Sequence, residues 1–336
     1  MGTVAKRIQK WDILKFVLIF FVVFGHISEQ YSGTTGLSFF IYSFHMPLFI
    51  FVSGLFSKKT INEKRYSRIF TYFILYIFIK IILCVSNYIN KGIVSFNIFS
   101  EGGVPWYAFT LFAFCLITIV VKDLKPLLVF TFSIIFAAFA GYDSTIGNFL
   151  SLSRIIVFYP FFYAGYVLEA DKVAQTLNKK SIKIISVLGI IGYIVLITLC
   201  LDDIQFLGPM LSGRRPFSAL GDRQNYGGPF RLLYYFVVFT LGAMIISLIP
   251  DKLGKGKIAE IGSRSVQIYA LHYVFIHFFY SNLHIDKWME RVFPFFPEFI
   301  ILPLTIFVML FCASKLWTPI FDFVLNVHKP KKKEAP

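Results

Sequence analysis

The chain has 336 residues, of which 57% are hydrophobic, 19% aromatic and only 15% charged. A mean hydropathy of +0.71 and 42 Phe exclude an ordinary soluble globule, where about a quarter of residues are charged. The net charge of +15 does not point to nucleic acid, because the basic residues sit in short clusters between apolar runs, as membrane topology requires.

A helix that crosses a bilayer needs about 20 mostly apolar residues. Segments near 12–30, 37–57, 66–88, 104–121, 125–141, 149–168, 183–201, 230–249, 264–284 and 298–323 meet that need. The sequence therefore predicts an all-α integral membrane protein of about ten transmembrane helices. The first run resembles the core of a signal peptide, but Gly25 to Gln30 offers no small-x-small cleavage site, so it reads as a retained first helix. Between the fourth and fifth runs only Lys122 to Pro126 intervene, which predicts a tight helical hairpin. Most of the 33 Lys and Arg fall in alternate connections: the N-terminus, 57–68, 121–126, 169–183, 250–264 and the C-terminal end. That bias places this side, with both termini, in the cytoplasm. One transmembrane domain over 1–328 and a basic cytoplasmic tail at 329–336 complete the expected organisation.

Ionisable groups inside spans are costly and point to function. Lys15 and His26 bracket the apolar run KFVLIFFVVFGH of the first span. They lie nearly three helical turns apart, so they share a face but are separated by about 16 Å along the axis. A molecule that meets both is long and enters from the Lys15 end; a phosphorylated cofactor with an extended arm has that shape. His26 is either catalytic or an interfacial histidine, and Lys15 either binds an anion or snorkels to the cytoplasm, with Asp12 placed to pair with it. The second span, IYSFHMPLFIFVSGLF, adds His45 at a similar depth. Pro47 is placed to kink that helix, and Ser53 and Gly54 permit close helix contact.

Arg65 and Arg68 open the third span three residues apart. They read either as a positive-inside cluster or as a pair of forked phosphate donors. The long connection 202–230 carries Arg214, Arg215, Asp222, Arg223 and Tyr226. It is either a flexible loop whose arginines meet lipid phosphates or a binding surface for a polyol or sugar. His272 and His277 are five apart and face different ways, which argues against a shared metal. Cys84, Cys115, Cys200 and Cys312 all lie in apolar runs with no zinc or disulfide pattern. There is no P-loop, GxSxG or HExxH.

DILKFVLIFFVVFGH followed by FHMPLFIFVSGLF resembles the opening of the membrane acyltransferase-3 family, whose hallmark is Arg or Lys, ten residues, then His. EKRYSRIFTYFILY, VPWYAFTLFAFCLI, SRIIVFYPFFYAGYVLE and GSRSVQIYALHYVFI resemble its later segments in order, and LSGRRPFSALG is similar to the fucose 4-O-acetylase-like branch. The resemblance implies a multi-pass enzyme of a bacterial cell membrane. It would move an acetyl group from cytoplasmic acetyl-CoA to a hydroxyl of an extracytoplasmic sugar or surface polysaccharide, such as capsule or exopolysaccharide, without a metal. It also implies roles. Lys15, Arg65 and Arg68 would hold the cofactor phosphates. His26 would act as general base, and His45 would orient, share the proton or stabilise the oxyanion. Trp106, Arg214, Arg215 and Tyr226 would meet the acceptor, although Trp106 also fits an aromatic belt. The chain looks like a stand-alone membrane unit lacking the added SGNH esterase-like domain that many members carry. The rival reading is a transporter or flippase for a lipid-linked glycan.

Overall fold

The computed structural model describes residues 9–327 except 95, 101–102, 254–255 and 294–295. The predicted tail at 329–336 lies outside the described residues. The described residues are helical apart from turns, loops and one isolated bridge between Ser100 and Phe149. In chain order the helices are α1 Gln9–Ser28, α2 Thr35–Tyr42, α3 His45–Asn62, α4 Tyr66–Lys91, α5 Trp106–Val121, α6 Pro126–Ala140, α7 Leu152–Val167 and α8 Ala170–Leu177. They continue with α9 Lys180–Ile204, α10 Gly208–Leu211, α11 Gly227–Leu248, α12 Lys257–Ser263, α13 Ser265–His277, α14 Ile285–Val292, α15 Ile301–Cys312 and α16 Thr318–Asn326.

Every one of the ten predicted segments coincides with helix. Among the described residues, six stretches are long and apolar enough to cross a membrane: Gln9–Ser28, Thr35–Asn62, Tyr66–Lys91, Lys180–Leu211, Phe217–Leu248 and Glu298–Asn326. Helices α5, α6 and α7 are shorter apolar helices. The connection is short as expected, with α5 ending at Val121 and α6 starting on Pro126, where a missing N–H costs nothing, but the two helices pack against α7 rather than against each other, so the expected tight hairpin does not form. All four cysteines are free thiols.

Three segments depart from simple rods. The second is broken at Ser43–Phe44, and α3 restarts on His45 with Pro47 in its first turn. Proline is tolerated there because first-turn N–H groups have no intrahelical partner. The break delivers His45 to the start of a helix rather than its middle. The tenth segment is likewise split between Cys312 and Thr318, giving α15 and α16. Finally, the connection at 202–226 is not an open loop. It folds into α10 and short 3-10 turns, packed by Phe217, which is buried, and pinned by the Phe217 amide donating to the Gly141 carbonyl at 2.7 Å. Its aromatic and aliphatic residues bury themselves where Gly and Pro content alone suggested flexibility.

Helix α1 sits at the centre, against α2, α3, α12, α13 and α15. The closest pairing is between α3 and α7. A Cβ at Gly54 would strike the Phe162 carbonyl, and one at Gly165 would strike the Phe51 carbonyl. The two glycines thus let the backbones touch, the packing mode in which apolar helices gain dispersion without a solvent-driven term. Helix α9 is the most peripheral, packed mainly on α11 and α2, with Leu199 78% exposed.

Candidate active site

Antiparallel packing brings the C-terminal end of α1 together with the N-terminal ends of α3, α5 and α7. At that junction lies a polar cavity of about 310 Å³. His26 enters it from α1, His45 from α3, Trp106 from α5, Arg154 from α7, Arg214 from the turn after α10, and His272 from α13. Side chains from six parts of the chain meet here, five of them ionisable, inside a mostly apolar bundle.

His26 is 23% exposed and makes its ring contacts through Nδ1. Glu29 Oε2 lies 3.3 Å from that nitrogen and Tyr42 Oη 3.4 Å from it. A carboxylate can only accept, so with Glu29 ionised the proton of a neutral His26 sits on Nδ1 and Nε2 carries the lone pair. The spacing of one helical turn, His26 to Glu29, makes the pair possible at the end of α1.

His45 is buried and its Nδ1 donates to the Ile41 carbonyl at 2.7 Å. The same carbonyl accepts from the Phe44 amide at 3.3 Å, so the turn at the break holds it beside the start of α3. His272 is fully buried, and its Nδ1 faces the Ile268 and Tyr269 carbonyls at 3.1 and 2.8 Å. Its Nε2 is buried and without a hydrogen-bond partner. Both rings, when neutral, therefore hold a proton on Nδ1 and a lone pair on Nε2. The imidazoles of His26 and His272 are stacked, with centroids 5.4 Å apart. Tyr42 bridges His26 and His45 by edge contacts, at 6.3 and 4.9 Å between centroids.

On the opposite wall the Arg154 guanidinium lies 4.7 Å over the Trp106 ring and its Nε donates to the Ser212 carbonyl at 3.3 Å. Trp106 is also stacked on Phe158 at 5.2 Å. Two guanidinium groups thus face three imidazoles and a carboxylate across the cavity. Among the described residues, no three His, Cys, Asp or Glu side chains are grouped as a metal site needs.

Lys15 lies at the other end of α1. Its Nζ is 3.4 Å from Asp12 Oδ1, the expected i,i+3 pair, and 5.2 Å from the centre of the Phe56 ring. Phe56 belongs to the last turns of α3, and α4 starts soon after, so Lys15, Arg65 and Arg68 lie toward one end of the bundle. Arg65 Nε donates to Glu63 at 2.6 Å, and Arg68 is exposed. Between Lys15 and His26, the same stripe of α1 presents Ile19 and Val22. These line a small gap of about 30 Å³ that shares Val22, Met46 and Tyr269 with the histidine cavity.

Of the residues singled out from sequence, His26, His45, Trp106 and Arg214 converge on the cavity. Lys15, Arg65 and Arg68 form a separate basic end. Arg215 and Tyr226 are exposed and do not line the cavity. Sequence reasoning missed Glu29, Tyr42 and Arg154, and weighed His272 only against His277. Arg154 carried a usable signal, being a charge at the head of an apolar run. Glu29 and Tyr42 carried none beyond their types. A mostly apolar cavity of about 480 Å³ that holds no histidine lies among α3, α7, α8 and α11.

A family model described as an acyltransferase domain matches residues 8–318. No curated protein and no solved structure matches the chain. The matched span contains every residue that lines the histidine cavity.

Proposed function

As the match over residues 8–318 shows, the chain belongs to the acyltransferase-3 family and is a multi-pass membrane acyltransferase; we propose that it moves an acetyl group from cytoplasmic acetyl-CoA to a hydroxyl of a sugar on the far side of a bacterial cell membrane, in a surface glycan such as capsule or exopolysaccharide. In this reading all ten segments cross, both termini are cytoplasmic, and the basic end with Lys15 faces the cytoplasm while the histidine cavity faces outward. The observation that carries it is the stripe on α1: a lysine at one end, a Glu29-supported imidazole in a polar cavity at the other, and an adjoining gap between them.

The phosphates of acetyl-CoA would rest among Lys15, Arg65 and Arg68, and the acyl arm would follow Ile19 and Val22 toward His26. His26 Nε2 takes the proton of the attacking sugar hydroxyl as its oxygen bonds to the thioester carbon. Glu29 holds the tautomer and stabilises the imidazolium, as a carboxylate does in a catalytic triad. The C–S bond then breaks and the leaving sulfur receives the proton from His26. His45 and His272 present lone pairs, so as neutral rings they orient the hydroxyl by accepting from it and cannot donate to an oxyanion. Arg154 supplies that donor. Arg214 contacts the acceptor, and Trp106, buried against Arg154 and Phe158, backs that wall, whereas Arg215 and Tyr226 serve it only at the entrance.

Incubation of the purified protein with radiolabelled acetyl-CoA and the host glycan tests this. Label is expected in the glycan, removable by mild base. Absence of label from the glycan, together with no consumption of acetyl-CoA, would overturn the reading.

A further inference from the structure

The turn that follows α10 contributes Leu211, Ser212 and Arg214 to the wall of the histidine cavity. A helix end leaves its last carbonyls without intrahelical partners. Here, side chains from two long helices take them. Arg231, in the second turn of α11, donates through a terminal guanidinium nitrogen to the Met210 carbonyl at 3.0 Å. Arg154 and Ser153, at the start of α7, donate to the Ser212 carbonyl at 3.3 Å and the Gly213 carbonyl at 2.7 Å. Gly213 has a φ of +63°, and a Cβ there would strike the Phe158 ring. The turn therefore lies against the ring that also stacks on Trp106, and together with Trp106 and Arg154 it makes one assembly.

Arg231 is the costly member. It is only 1% exposed, and its Nε is buried without a hydrogen-bond partner. Its guanidinium faces the rings of Phe217 and Tyr234 at 5.7 and 5.3 Å. Among the described residues, no carboxylate forms an ion pair with it. An ion inside a span is expensive, and aromatic faces return part of that cost. Nor does the turn need this charge to satisfy its backbone, because the Met210 carbonyl also accepts the Gly213 amide at 3.1 Å. Folding alone does not account for Arg231. What its bond does is tie Met210 to α11, while Arg154 ties Ser212 to α7. The two guanidinium groups grip carbonyls on either side of Leu211, which lines the cavity.

We propose that Arg231 is a positioning residue for acyl transfer. It fixes the α10 turn between α7 and α11, so that the Ser212 carbonyl aims Arg154 and the backbone delivers Arg214 to the cavity. In this role it touches neither donor nor acceptor. The proposal rests on the histidine cavity being the site of transfer.

Arg231→Met removes the cation and its hydrogen bond and leaves an apolar chain in their place. Exchanging a buried charge for an apolar group of similar volume is often neutral or stabilising, so the unfolding temperature should not fall. A residue that served only the fold would lower it. Kinetics on the purified full chain use radiolabelled acetyl-CoA and host surface glycan stripped of O-acyl groups by mild base. In Arg231→Met, KM for the glycan should rise about ten-fold and kcat should fall about ten-fold, the scale of a misplaced contact group, while KM for acetyl-CoA stays the same. A smaller fraction of folded protein lowers apparent kcat and leaves both KM values alone, so it does not produce that split. Arg231→Lys keeps a donor for Met210 and should recover most of the loss. Ser153→Ala releases the Gly213 carbonyl of the same turn and should raise KM for the glycan by a smaller factor; it decides the matter if Arg231→Met does not fold. Phe236→Met, on the exposed face of α11, should change neither constant. Unchanged KM for the glycan in Arg231→Met, or in Ser153→Ala where Arg231→Met is not folded, would overturn the proposal. If the unaltered chain transfers label and Arg231→Met matches it, the positioning role alone fails. If the unaltered chain neither transfers label nor consumes acetyl-CoA, the acyltransfer reading fails and the proposal falls with it.

Discussion

The imidazole of His272 lies nearly parallel to that of His26, with centroids 5.4 Å apart and 25° between the planes. One ring is engaged by a carboxylate and the other by two backbone carbonyls. The pair therefore presents two Nε2 lone pairs in one cavity, set by different partners. The buried, unpartnered Nε2 of His272 is costly unless something in the working enzyme donates to it.

The donor expected there is the acceptor hydroxyl. His272→Phe keeps the stacking partner and removes the lone pair. Steady-state kinetics on the purified variant should show kcat for transfer reduced about 10²-fold, within the range for one positioned proton-transfer group. Thermal stabilisation by acetyl-CoA should persist. A variant with unchanged kcat would leave His272 a packing residue.

Glu29 should matter through charge and geometry together. Glu29→Gln lets an amide N–H face His26 Nδ1 and pulls the neutral ring toward the wrong tautomer, a change that costs up to about 10⁴ in the analogous triad position. Glu29→Asp keeps the charge and should retain more activity than Glu29→Gln at every pH tested. The reverse order, measured as kcat/KM for acetyl transfer, would remove Glu29 from the reaction.

At the basic end, Lys15→Ala should raise KM for acetyl-CoA about ten-fold, equivalent to about 1.4 kcal/mol, with kcat changed less. Lys15→Arg should recover most of that loss, since either cation meets a phosphate. An unchanged KM would take Lys15 out of the phosphate site.

The α3–α7 contact yields a stability prediction that is independent of function. Gly54→Ala forces a methyl group against the Phe162 carbonyl. Overpacking of this kind costs about 1–3 kcal/mol, so the unfolding temperature in detergent should fall by several degrees. Gly192→Ala, where an added Cβ meets nothing within 4 Å, is the control and should not lower it.

Hydropathy located the long apolar helices, because an apolar run of sufficient length has few alternatives in a bilayer, but not the short α8, α10, α12 and α14 between them. It did not foresee the break before His45. Pro47 marked a disturbance, but whether proline kinks a helix or begins one depends on what packs around it. Glycine and proline in 202–226 suggested looseness, yet Phe217 and Arg231 fold that stretch against its neighbours, a tertiary effect that local composition does not carry. At the site, His26 and His45 were legible as rare intramembrane histidines. Glu29, Tyr42 and Arg154 join them from one helix end, a helix break and a distant helix, and only the antiparallel packing of α1, α3 and α7 brings them together.

The most direct measurement is transfer of label from radiolabelled acetyl-CoA to the host glycan by purified His26→Ala protein, beside the unaltered chain. Loss of transfer by at least about 10²-fold, with acetyl-CoA still raising the unfolding temperature of the variant, is the predicted result. Transfer at the rate of the unaltered protein would contradict His26 as the base and with it the mechanism built on the α1 stripe.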